Sequence, residues 1–113
     1  MSAITTHVLD TSRGRPASGV RVTLDRRVGP GQWERLGAGD TDADGRLGTL
    51  LPDGRPPAPG VYRLTFEIGR YFGASSRACF YPEASVVFEA TGDAHYHVPL
   101  LVSPFGYSTY RGS

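Results

Sequence analysis

The sequence has few of the features that mark membrane-spanning, disulfide-linked or nucleic-acid-binding proteins. It contains one cysteine, Cys79, which cannot form an internal disulfide, and this favours a reducing compartment. No apolar run approaches the roughly 18 residues of a membrane-spanning helix. The first residues lack the basic and apolar segments of a signal peptide. We therefore expect a cytoplasmic protein without a membrane partner.

The charge is nearly balanced, and this argues against a polyanionic partner. The net charge is +1, so no overall field attracts nucleic acid, and no nucleic-acid partner is expected. All 12 basic side chains are arginines, so any cationic group of a site is a permanently charged, forked guanidinium. The length of 113 residues predicts a single domain that spans residues 1–113.

Hydrophobic residues recur mainly with period two, which is typical of half-buried strands. Residues 20–25 and 61–68 alternate in this way, and 15 glycines and nine prolines are scattered between such segments as turn signals. Residues 69–78 lack alternation and predict one short helix. These patterns predict an all-β protein, an antiparallel β-sandwich of short strands.

The segment from His95 to Val102 is the most informative strand. Its alternation places the apolar residues on one face and turns His95 and His97 away from the core. Pro99 predicts an edge position or a bulge, because proline cannot donate a hydrogen bond to a neighbouring strand.

Three histidines, His7, His95 and His97, are the candidate chemical groups. Neutral imidazole is the commonest protein base near pH 7. His-x-His is also a metal-ligand spacing, which His7 could complete to a catalytic zinc set. The spacing by itself does not choose between a base, a metal ligand and an exposed strand histidine without a role.

An acidic segment, Asp40–Gly45, imitates the first half of a calcium-binding loop. The twelfth position, where such a loop needs a glutamate, is Leu51, and no helices flank the segment. We therefore predict a turn between two strands. Arg46 follows this turn and would matter if the fold directs its guanidinium towards the histidines, because guanidinium binds planar oxygen-rich groups through paired donors.

Four motifs together resemble those of the 5-hydroxyisourate hydrolases, the transthyretin-related enzymes of urate breakdown. The resemblance runs from about Ile4 to Ser113 and includes no departure at a motif position. Transthyretins themselves lack the histidine pair and the terminal Tyr-Arg-Gly-Ser. The motifs are Thr-His-Val-Leu-Asp-Thr at 6–11 with Gly-Arg-Pro-Ala at 14–17, Thr-Asp-Ala-Asp-Gly-Arg at 41–46, His-Tyr-His-Val-Pro-Leu-Leu at 95–101 and Ser-Pro-Phe-Gly-Tyr-Ser-Thr-Tyr-Arg-Gly-Ser at 103–113.

The resemblance implies a transthyretin-like sandwich of two four-stranded sheets with one short helix, assembled as a homotetramer, a dimer of dimers. It implies hydrolysis of 5-hydroxyisourate to 2-oxo-4-hydroxy-4-carboxy-5-ureidoimidazoline, with no cofactor and no metal. The implied catalytic residues are His7, Arg46 and His97, with His97 rather than His95 as the active member of the pair. The implied substrate-binding residues are His7, Arg46, Tyr110, Arg111, Gly112 and Ser113.

Two other functions remain as alternatives at this stage. One is a zinc-dependent hydrolase that uses all three histidines. The other is a non-catalytic carrier of small ligands, like transthyretin, which would need neither the histidines nor the terminal motif.

Overall fold

Two β-sheets packed face to face form the fold in the computed structural model, which describes residues 3–52 and 56–113. In chain order the elements are β1 (Ile4–Asp10), β2 (Arg15–Pro16), β3 (Arg21–Gly29), β4 (Gln32–Asp40), β5 (Arg46–Leu47), β6 (Gly60–Phe66), α1 (Ile68–Gly73), β7 (Ala84–Ala90), β8 (Tyr96–Ser103) and β9 (Gly106–Thr109). The period-two patterns explain the layers, because alternate side chains of a strand point to opposite faces. In β6, for example, Tyr62, Leu64 and Phe66 are buried and the residues between them are partly exposed.

The predicted transthyretin-like sandwich is confirmed, with two differences in its strands. One sheet has four antiparallel strands in the order β4-β3-β6-β7. The other has the order β2-β1-β8-β9, with β5 also paired to β1, so it contains five strands rather than the expected four. The β1–β8 pair is parallel, contrary to the antiparallel prediction. A hairpin would impose antiparallel pairing, but these two strands are separated by most of the chain, so nothing local sets their direction.

One cluster of buried side chains fills the space between the sheets, and β8 contributes Tyr96, Val98, Leu100 and Val102 to it. The helix begins at Ile68, one residue before the predicted segment, and ends at Gly73. It packs Ile68 and Phe72 into the same core. Among the residues that the structure describes, no helix has the length and apolar character to span a bilayer.

Pro99 is buried in a central strand, so the predicted edge or bulge is wrong. Strand β8 lies between β1 and β9. The segment after β9 keeps the same register against β8, because Leu100 lies opposite Thr109 and His97 lies opposite Gly112. Regular pairing between β8 and β9 stops at Leu100, and among the described residues the only further contact of this kind is the isolated bridge between His97 and Gly112. The missing N–H of Pro99 is therefore accommodated by this interruption, where the Thr109 hydroxyl donates to the Pro99 carbonyl at 2.7 Å.

Candidate active site

A tight turn presents Arg46 at the start of β5, as the sequence predicts. The Asp42 carboxylate accepts hydrogen bonds from the backbone N–H groups of Asp44 and Arg46 at 2.9 and 3.0 Å. Gly45 has a φ of +74°, and a Cβ atom there would lie 2.4 Å from the Val8 carbonyl oxygen. Only glycine suits both the conformation and the close approach, so this turn sets the position of Arg46 against β1.

Strand register brings the separate motifs together on the outer face of the second sheet. His7 pairs with Arg46 of β5 on one side and with Pro99 of β8 on the other. Thr5 pairs with His97. Because Thr5 and His7 are two positions apart on β1, their side chains point to the same face. The parallel β1–β8 pairing thus places residues about 90 positions apart in the chain side by side.

An open cleft of about 310 Å³ lies on this face. It brings together the histidine pair, the arginine after the turn and the last residue of the chain. His7 does not line the cleft itself but neighbours it through its pairing with Arg46. The lining residues are Thr5, Thr6, Arg46, Leu47, Gly48, His95, His97 and Ser113.

The ring of His7 is oriented by the acidic turn. Its Nε2 atom lies 2.9 Å from the Asp44 carbonyl oxygen. A carbonyl oxygen only accepts, so Nε2 carries the proton and donates it. In neutral His7 the remaining nitrogen, Nδ1, is the free acceptor.

His97 is half-buried and has a lowered pKa. Its Nδ1 atom lies 2.8 Å from the Thr5 hydroxyl oxygen. Its pKa is lowered from the usual 6.5, first by burial and then by the positive charges of Arg46, His7 and His95. The imidazole of His97 is therefore mainly neutral at pH 7. In its Nδ1–H tautomer the second nitrogen, Nε2, is an acceptor.

The chain terminus is fastened to β8 beside this ring. The Gly112 N–H donates to the His97 carbonyl at 2.8 Å. A Cβ atom on Gly112 would lie 2.6 Å from Cδ2 of His97 and 3.2 Å from Cγ of Pro99. The backbone of Gly112 thus packs directly on the His97 ring, and Ser113 extends from it into the cleft.

Two of the predicted substrate-binding residues lie elsewhere in the subunit. Arg111 stacks over the Tyr96 ring at 4.7 Å and pairs with Asp93 at 2.9 Å. Tyr110 is 56% exposed and, with Arg111, lines a second cleft of about 210 Å³. Alternation explains the position of Arg111, because its neighbour Gly112 lies opposite His97 and successive residues of an extended segment face opposite sides.

The three imidazoles do not converge on one point. Within residues 3–52 and 56–113, no group of three His, Cys, Asp or Glu side chains is arranged to hold a metal ion. His7 is turned towards the Asp44 carbonyl, and the Thr5 hydroxyl stands between His95 and His97. This geometry does not support the zinc alternative. The sequence reading missed Thr5, although its period-two relation to His7 could have placed it on the same face.

Fold and cleft together define a transthyretin-like β-sandwich with a half-buried imidazole, a guanidinium and Ser113 on one face. The chain belongs to the HIUase/Transthyretin family, whose model matches residues 4–112.

Relatives and solved structures agree with this assignment. The chain is 49% identical to the 5-hydroxyisourate hydrolase of Caulobacter vibrioides over 118 residues, which cover 100% of both chains. It is similar to the structure of Klebsiella pneumoniae 5-hydroxyisourate hydrolase, with 40% identity, a TM-score of 0.85 and coverage of 100% and 94%. Sea bream transthyretin in complex with thyroxine is also similar, with 32% identity, a TM-score of 0.88 and coverage of 97% and 94%. The structures show that one fold serves a hydrolase and a thyroxine-binding protein, so the groups in the cleft decide between them.

Proposed function

We propose that the chain hydrolyses 5-hydroxyisourate to 2-oxo-4-hydroxy-4-carboxy-5-ureidoimidazoline, the ring-opening step of urate degradation. The observation that carries this proposal is the convergence of His97, Arg46 and Ser113 on one cleft next to His7. The relatives named 5-hydroxyisourate hydrolase, which match over the whole chain, support the choice of substrate.

In this proposal His97 is the general base. Its lowered pKa keeps it neutral at pH 7, so that Nε2 takes a proton from the attacking water and returns it to the departing ring nitrogen. General acid–base catalysis of this kind contributes about 10² to 10⁴ in rate.

Arg46 and His7 flank the base and would hold the substrate. The guanidinium of Arg46 binds planar substrate oxygens through paired donors and stabilises the oxyanion that forms at the attacked carbonyl. The free Nδ1 of His7 accepts a hydrogen bond from a ring N–H of the substrate. Ser113 closes the cleft at the chain end.

We also propose a homotetramer, a dimer of dimers, in which neighbouring subunits cover the open cleft. Large apolar side chains exposed on the isolated subunit support this assembly, for example Phe80 at 71%, Phe105 at 74% and Val87 at 53%. Tyr110 and Arg111, which do not face the cleft of their own subunit, would reach substrate only if assembly brings them to a site. Sedimentation analysis tests the assembly, and a monomer at micromolar concentration with full activity would contradict it.

The free thiol of Cys79 supports a reducing location. We propose the cytoplasm, which cell fractionation would test.

The decisive assay follows the ultraviolet absorbance of 5-hydroxyisourate generated in place from urate by an oxidase. We expect rapid decay with the protein and no effect of a chelator. The variant His97→Ala should lower turnover at least about a hundredfold, and His95→Ala should lower it much less. Decay no faster than the spontaneous reaction would refute the hydrolase and favour a carrier.

The carrier remains the second candidate because a solved thyroxine complex shares the fold. It predicts ligand binding that does not depend on His97 or on the last residues. Equilibrium binding of thyroxine to the wild-type chain and to His97→Ala would test it.

A further inference from the structure

The Thr5 hydroxyl lies between two imidazole rings. Its oxygen is 2.8 Å from Nδ1 of His97 and 3.3 Å from Nε2 of His95. Thr5 is 8% exposed, whereas His95 is exposed to solvent. A continuous hydrogen-bonded path therefore runs from the half-buried base to the surface of the subunit.

Donor and acceptor counting gives this path a direction. The threonine hydroxyl has one proton, so it donates to one ring and accepts from the other when both rings are neutral. If His97 is to present an unprotonated Nε2 to the cleft, its Nδ1–H must donate to Thr5. The Thr5 hydroxyl then donates to Nε2 of His95, and His95 carries its own proton on Nδ1.

We propose that Thr5 is a positioning residue, which holds the His97 proton on Nδ1 and so keeps Nε2 as the acceptor of the base. This inference rests on the proposed hydrolase function. It assigns a role to His95, the exposed member of the histidine pair.

The proposed reaction uses this tautomer. Nε2 takes a proton from the attacking water, and the imidazolium that forms still donates its Nδ1–H to Thr5. The Nε2 proton then passes to the departing ring nitrogen. His97 therefore ends each turnover in the tautomer in which it began.

A magnetic resonance experiment tests the positioning without any turnover. Ring ¹⁵N shifts of His97 should show a single neutral tautomer, protonated on Nδ1, in the wild type and in Thr5→Ser. The isosteric Thr5→Val variant lacks the hydroxyl and should show a mixture of tautomers. The control is Thr11→Val, which removes a hydroxyl that donates to the Val102 carbonyl at the far end of the same strand pair. An Nδ1-unprotonated His97 in the wild type, or no change in Thr5→Val, would overturn the proposal.

Kinetics test what the orientation of His97 contributes to the rate. Thr5→Val should lower kcat about tenfold with KM within about twofold, a barrier change of about 1.4 kcal/mol, the size of one hydrogen bond. Thr5→Ser and Thr11→Val should keep kcat.

His95 accepts the Thr5 hydroxyl proton in this arrangement. His95→Ala keeps the Thr5 hydroxyl and should lower kcat less than Thr5→Val does. A larger loss in His95→Ala than in Thr5→Val would reject the role of Thr5. If wild-type protein does not accelerate substrate decay, the proposed function fails, while the tautomer measurement still judges Thr5.

Discussion

Gly112 gives the sharpest test of how the chain terminus contributes to the site. In Gly112→Ala the new Cβ atom would stand 2.6 Å from Cδ2 of His97. Carbon atoms in van der Waals contact are about 3.5–4.0 Å apart, so the two groups must separate by about 1 Å. Thr5 holds the ring through its Nδ1 atom at 2.8 Å. The new Cβ atom would also lie 3.2 Å from Cγ of Pro99, so the terminal segment that carries Ser113 must shift.

The expected loss follows from that displacement. A misplacement of about 1 Å within an active site, here of the segment that carries Ser113 into the cleft, costs about 10²-fold in rate, which corresponds to about 2.7 kcal/mol in the barrier. We therefore expect kcat/KM of Gly112→Ala to fall about a hundredfold. Stability should change little, because this terminal segment is joined to β8 only by an isolated bridge.

The assay compares two alanine variants near the same chain end. In Gly106→Ala, on β9, the nearest atom to the new Cβ would be the Ser103 hydroxyl oxygen at 3.9 Å, an ordinary contact. Both proteins should unfold at similar temperatures, and only Gly112→Ala should lose activity in the 5-hydroxyisourate decay assay. Activity of Gly112→Ala within twofold of Gly106→Ala would show that the packing of the terminus on His97 does not matter.

Three further predictions concern charge and the chain end. Arg46→Gln removes a positive charge that lowers the pKa of His97, so the acid limb of the kcat/KM profile, which lies below pH 6.5 in the wild type, should shift to higher pH; an unshifted limb would show that burial acts alone. Asp10 is fully buried; burial raises its pKa, but hydrogen bonds from Ser12, Arg77 and Tyr71 outweigh this and lower it from 3.8 to about 2. The native state therefore gains about 2.5 kcal/mol that is present above pH 3.8 and lost as the pH falls towards 2. Asp10→Asn should forfeit a similar amount at pH 7 in urea unfolding, and an unchanged midpoint would refute this. Deletion of residues 110–113 should abolish activity while the unfolding free energy falls by no more than about 1 kcal/mol, because the ion pair lost with Arg111 is exposed; an active truncated protein would remove the terminus from the site.

The sequence by itself determined the local features of this protein. Period two predicted the strands and turned His95 and His97 away from the core, because alternation on a strand is a property of the backbone and needs no partner. The acidic segment predicted a turn before Arg46, since glycine and aspartate favour such turns through their own backbone preferences.

The family resemblance, rather than periodicity, brought His7, Arg46 and His97 together as one site. Spacing along the chain carries no information about which strands become neighbours. The choice between a base and a metal ligand therefore needed the positions of the three imidazole rings in the fold.

Only the tertiary structure decided how these pieces meet. The parallel pairing of β1 with β8 is a contact between distant segments, and it alone places Thr5 between the two imidazoles. The same pairing put Pro99 in a central strand, where an interruption in the ladder to the tail accommodates its missing N–H. Gly112 packs on His97 so closely that a Cβ atom at position 112 would lie 2.6 Å from the ring, so only glycine fits there. Strand alternation is local and readable from the sequence, whereas register, pairing direction and close approach arise from the packing of the whole chain.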